Sequence, residues 1–170
     1  MYDLDRVRHE FRRACLQAKV PVRSLEDIKI NGRLTSTHGR VTSQWMPEVG
    51  GYLPIKVEFS KRMLDNATDE SIKQVILHEA AHYIATYRTH ADHGHDSYFK
   101  AVCEEIGCTA SKASGNLEYK TAPTGLYKYL VVCPNCGVIG GYQRKCRTLN
   151  NINYCSCKKC GSNHLKVIEN

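Results

Sequence analysis

Hydrophobic positions recur at two different periods along this chain. Residues 3–19 carry Leu4, Val7, Phe11, Ala14, Cys15 and Ala18 at spacings of three and four, with Arg and Glu between them. That period predicts an amphipathic helix, which Pro21 ends. Residues 28–59 change to β-prone runs. "IKINGRLTSTHGRVTSQW" reads as short extended segments with a turn at Thr37-His38-Gly39-Arg40. "MPEVGGY" reads as a loop, and "PIKVEFS" alternates, with Ile55, Val57 and Phe59 on one side and Lys56 and Glu58 on the other.

The strongest helical signal covers residues 69–89. Thr68 is the expected N-cap, and Asp69 and Glu70 suit the positive end of the helix dipole. A further helix is predicted from Asp96 to Ile106, stopped by Gly107. Residues 109–126, "TASKASGNLEYKTAPTGL", are small and polar and read as a linker. From about Tyr127 the chain reads as short strands and turns among cysteines. The expectation is an α+β protein in two parts, residues 1–108 and 127–170, joined by that linker.

The helix over 69–89 also carries His78-Glu79-Ala80-Ala81-His82. Residues i and i+4 share a helical face, so the two imidazoles can converge on one ion at about 2.0–2.1 Å each. Glu79 points about 100° round the helix, where it can reach a water beside the ion without binding the ion. This is the H-E-x-x-H arrangement of metalloproteases, with the glutamate as general base. Polar groups that interrupt the apolar run without partners would each cost on the order of 1–3 kcal/mol. A catalytic zinc needs a third protein ligand. His90, His93 and His95 in the following loop are candidates, favoured over Glu104 and Glu105 because the loop re-enters the site as the helix ends. Residues 85 and 88 are Ala and Arg, which excludes the longer H-E-x-x-H-x-x-G-x-x-H motif.

Nine cysteines form the second cluster of metal-type residues. Their odd number argues against a simple disulfide framework. Cys133-x2-Cys136 and Cys157-x2-Cys160 can each aim two thiolates from a tight turn, with Gly137 and Gly161 where the backbone folds back. Four sulfurs make a closed structural zinc site. Cys155 competes with Cys157 for the third place, and spacing symmetry favours Cys157. A fragment of about 40 residues has too little core of its own, so the metal would supply its folding energy.

Charge adds a partner class. Residues 1–117 hold 16 Lys/Arg against 15 Asp/Glu, and residues 118–170 hold 8 against 2. Arg144, Lys145, Arg147, Lys158 and Lys159, near Tyr142, suit phosphate contact and base stacking. The expected partners are a protein substrate and, through the basic C-terminal part, DNA or another nucleic acid. Neither a membrane-spanning run nor a secretory signal is legible, and the N-terminal segment is charged throughout. The expected location is therefore cytoplasmic, or nucleoid or nuclear with DNA. The oligomeric state is not legible.

The order HExxH, about a dozen residues, then His95-x3-Phe99-Lys100 resembles the SprT-like family of zinc metallopeptidases, whose Spartan-type members degrade proteins trapped on DNA. "N-x-R…G-R" is matched by Asn31-Gly32-Arg33 and Gly39-Arg40. The resemblance implies a zincin-like domain closed by a zinc ribbon, with His95 as third ligand beside His78 and His82 and Glu79 as base. It also implies a short helix before the active-site helix and supports Cys157 in the ribbon. Asp96 departs from the family's usual glycine. On this reading the strand Ile55–Phe59 can hold substrate as an added β-strand. The rival reading is a nucleic-acid- or protein-binding module whose histidine site is structural or weakly active.

Overall fold

The structure, a computed structural model, describes residues 2–109 and 127–169. The predicted linker lies outside the described residues from position 110 to 126. The chain divides into two compact units, residues 1–118 and 119–170.

The first unit opens with α1, Leu4–Gln17, whose N-cap Asp3 accepts a hydrogen bond from the Arg6 N–H. Val7, Phe11, Ala14 and Cys15 form its buried stripe, as the three-four spacing requires. The helix stops before Pro21, with Ala18 as C-cap and Lys19 in the left-handed region at φ 56°. Three strands follow: β1, Ile28–Asn31; β2, Gly39–Met46; and β3, Gly51–Ser60. Their order is β1-β3-β2, with β1 parallel and β2 antiparallel to β3.

Three expectations change here. Gly39 and Arg40 do not turn the chain; they begin β2. Gly51 and Tyr52 leave the expected loop and begin β3, where the Tyr52 N–H donates to the His90 carbonyl at 2.7 Å. Glu58 is not on an open face. It is 7% exposed and accepts hydrogen bonds from Asn31 and Arg40, with Lys56 at 3.2 Å. A carboxylate with three donors tolerates burial that an unpaired one would not.

Three helices complete the unit: α2, Lys61–Asn66; α3, Asp69–Thr89; and α4, Ser97–Ile106. The Thr68 side chain caps α3 through the Ser71 N–H, and Asp96 caps α4 through the Phe99 N–H. Gly107, at φ 74°, closes α4 in the left-handed conformation that a side chain resists. Helix α3 is buried nearly all round, from Ile72 to Thr86. Its Tyr83 ring meets Phe11 of α1 edge-on at 5.4 Å, and Phe11 meets Phe59 of β3 at 6.4 Å. The helix that holds the histidines also packs on α4, β2 and β3.

The second unit is a three-stranded antiparallel sheet of β4, Tyr129–Cys133; β5, Gly137–Tyr142; and β6, Lys166–Glu169, in the order β5-β4-β6. A one-turn helix α5, Arg147–Asn150, lies between β5 and β6. Its core is small: Tyr129, Val131, Cys133, Leu149, Cys157 and Leu165. The whole is α+β, with a C-terminal part compatible with a zinc ribbon.

Candidate metal centres

One turn of α3 separates His78 from His82, and their Nε2 atoms lie 3.3 Å apart. The loop after α3 returns His95, whose Nε2 lies 3.0 Å from that of His78. Three nitrogens bound tetrahedrally at 2.0–2.1 Å from one ion stand about 3.3 Å apart. The observed spacing fits that requirement. A neutral imidazole offers one donor and one acceptor, so three Nε2 atoms facing one another cannot all be satisfied by hydrogen bonds among themselves. Burial, then the neighbouring rings, lowers His78 to about 3; burial, then His95, lowers His82 to about 4. Both rings stay neutral, with lone pairs free for a cation. His78 Nδ1 is buried without a hydrogen-bond partner.

Phe99 holds this geometry. Its ring is fully buried, stacks on His82 at 4.2 Å and meets His78 and His95 at 5.0 Å each. The loop is tied separately. His93 Nδ1 bonds Asp96 at 2.8 Å, and its Nε2 bonds the Thr89 hydroxyl at 2.7 Å. Asp96 thus caps α4 and fastens the segment that carries His95. None of the other candidates for third ligand joins this group of three. Glu105 is paired with Arg88 at 2.7 and 2.9 Å, Glu104 is exposed, and the His90 backbone ends α3 in the left-handed region.

Glu79 is buried, at 7% exposure, beside the first of these histidines. Burial pushes its carboxyl up to about 8, and a hydrogen bond from the Val41 N–H opposes the rise. Gly39 explains how the strand comes so near. A Cβ there would stand 2.5 Å from Glu79 Cγ and 2.8 Å from its Cδ and Oε1. Only glycine admits the carboxylate, a role the sequence showed merely as part of a motif. The Val41 contact carries no sequence signal, because it is made by the backbone. A cleft of about 620 Å³ opens over these groups, lined by His78, Glu79, His82 and His95 on one side and by Gly39, Val41, Ser43 and Tyr52 on the other.

The strand expected to receive substrate needs correction. Ile55–Phe59 lies in β3, which is paired with β1 and β2 on its two sides and has no free edge. The edge strand beside the cleft is β2.

The model of the SprT-like family matches residues 5–122. The chain belongs to the SprT-like family. A "Protein SprT-like" of Streptococcus pyogenes serotype M6 is 28% identical over 144 residues, spanning 82% of this chain and 80% of the relative. Proteins of the same name from serotypes M18 and M1 match with the same identity and coverage. No solved structure gives a match. In this SprT-like chain Asp96 stands where the glycine was expected, and its two hydrogen bonds account for it.

The cysteine tetrad lies beyond residue 122, where the family model's match ends. Cys133, Cys136, Cys157 and Cys160 bring their sulfurs within 4.8 Å of one another, with Cys133 and Cys160 at 3.5 Å. Sulfurs around a zinc at 2.3 Å stand about 3.8 Å apart, so the tetrad can hold such an ion. Gly137 and Gly161 follow the two pairs at φ 70° and 75°. Cys155 is not in the tetrad, and its thiol donates to the Asn151 carbonyl at 3.4 Å. The Ser162 backbone, then the neighbouring thiols, lowers Cys160 to about 7. Arg144, Lys145, Arg147, Lys158 and Lys159 are all exposed, and Tyr154 is 90% exposed. Among the described residues no helix is long and apolar enough to cross a membrane.

Proposed function

We propose that the chain is a zinc-dependent endopeptidase. The observation that carries this reading is the convergence of three imidazole Nε2 atoms beside a buried carboxylate at the floor of an open cleft. His78, His82 and His95 would hold the zinc. When bound, the ion supplies Lewis acidity to the scissile carbonyl and to the attacking water. The chain does the rest. Glu79 takes the proton from that water on its carboxylate and passes it to the leaving amide nitrogen. The Glu79 carboxyl, raised by burial, would be lowered toward the range of a working base by a cation held at the three histidines. The Val41 N–H aims the carboxylate, and Phe99 keeps the imidazoles from rotating away. An extended substrate adds to the edge of β2 and lies across the cleft.

The second zinc belongs to the cysteine tetrad and is structural. The basic residues around it bring the enzyme to nucleic acid, so proteins bound or crosslinked to nucleic acid are the substrates this arrangement favours. Nine thiols and two thiol- and imidazole-based sites suit a reducing compartment.

Purified protein with zinc, DNA and an unfolded or crosslinked protein substrate tests the reading. Glu79→Gln is expected to retain two zincs per chain and lose cleavage. Undiminished cleavage by that variant removes Glu79 as the base. Tight DNA binding with no proteolysis by the parent would favour a binding module instead.

A further inference from the structure

The exposed hydrophobic side chains of the first unit are concentrated on one hairpin. Trp45 is 53% exposed, and Val49 and Tyr52 are each 41% exposed. Trp45 and Tyr52 are register partners across β2 and β3, and their rings meet edge-on at 5.4 Å. Side chains of this kind bury about 150–250 Å² each when fully covered, and roughly half of that remains open here. Their position says what covers them. The irregularity between β2 and β3 is an extra residue in β3, so alternation along β2 is unbroken. Val41, Ser43 and Trp45 therefore share a face. Val41 and Ser43 line the cleft, and so does Tyr52. The aromatic pair thus extends the cleft wall, at the end of β2 remote from the close contact between Gly39 and Glu79.

We propose that Trp45 and Tyr52 form a specificity subsite for an aromatic or large aliphatic side chain of an extended polypeptide lying along β2. The proposal rests on the peptidase reading and names its substrate class. Native proteins keep such side chains inside, so the subsite selects polypeptides that are unfolded or partly unfolded near the cleaved bond.

Trp45 is the chain's single tryptophan, so its emission reports the subsite directly. Zinc-loaded Glu79→Gln protein would be titrated with ten-residue peptides that differ only in Phe or Ser at one position. The Phe peptide is expected to change the emission and bind about tenfold more tightly than the Ser peptide, equivalent to about 1.4 kcal/mol. Tyr52→Ala should bring that ratio close to one, whereas Leu16→Ala, an exposed residue on α1, should leave it unchanged. Trp45→Ala is followed by anisotropy of labelled peptides, with the same loss of selectivity expected. A parent ratio near one, or a ratio that survives in Tyr52→Ala, overturns the proposal. So does Trp45→Ala converting a dimer to a monomer with no change in peptide affinity, which would make the hairpin a self-association face. Selective binding without cleavage by the parent enzyme would sink the peptidase reading and leave the subsite. Cleavage without selectivity would do the reverse.

Discussion

Replacing Gly39 with alanine tests the contact that sets the Glu79 carboxylate for the proposed chemistry. The added methyl would begin 2.5 Å from Glu79 Cγ and 2.8 Å from Oε1. Carbon atoms rest at about 3.5–4.0 Å, so the two groups must separate by about 1 Å. Gly39 is paired with Phe59 in the sheet, and Phe59 is wholly buried. The strand is therefore the stiffer partner, and the carboxylate moves. A misplacement of that size in a catalytic group costs roughly 10²-fold in rate, or about 2.7 kcal/mol of transition-state stabilisation. The expected variant is folded, carries its full zinc content, and cleaves about a hundredfold more slowly with little change in KM. Overpacking costs about 1–3 kcal/mol of stability, which a melting curve would show separately. Elemental analysis, melting and initial rates on one preparation decide the matter. Full activity in Gly39→Ala would mean that the carboxylate position is not set by this strand.

Three further outcomes are expected. His93→Ala removes the tie from Thr89 and Asp96 to the loop bearing His95; zinc affinity at the histidine site should fall about 10–100-fold, measured by chelator competition, with the cysteine site unchanged. Cys157→Ser should lose one zinc per chain and expose the backbone of residues 127–169 to hydrogen exchange, while Cys155→Ser should keep both ions. Glu58 is held below its ordinary 4.5, first by Arg40 and then by Lys56 and Asn31. Its contribution to stability is therefore complete above about pH 4.5 and is lost as pH falls through the lower folded value. Urea midpoints between about pH 6 and pH 3 should fall more steeply for the parent than for Glu58→Gln. Parallel curves would show that this carboxylate is not coupled to folding.

The helices were legible because their information is local. Thr68 and Gly107 sit where their capping chemistry predicts, whereas Asp96, expected as the first residue of its helix, caps it instead. The i, i+4 spacing sufficed to bring His78 and His82 together. The third histidine was not derivable from periodicity, since three loop histidines are near in sequence. The structure separates them: His95 Nε2 meets that of His78, while both ring nitrogens of His93 are taken by Thr89 and Asp96. The strands were less legible. β1 pairs in parallel with a strand 29 residues away in register, Ile28 with Val57, and such pairing leaves no local trace. Gly39 misled because glycine is usual in turns, whereas here it makes room for a side chain from α3. Glu58 alternated as a surface residue would, and its burial depends on Asn31 and Arg40, both distant in the chain.

The two units differ in what remains when their ions are withdrawn. The first has an apolar core of Phe11, Phe59, Phe99, Ile72, Ile76 and Ile84, none of them a metal ligand. The core of the second is partly its own cysteines. On the proposed reading, zinc scarcity would leave one half a folded but idle hydrolase, while the other would lose its shape and, with it, the basic surface proposed to meet nucleic acid. Supply of a single element would thus govern catalysis and recruitment by separate routes, each with its own threshold.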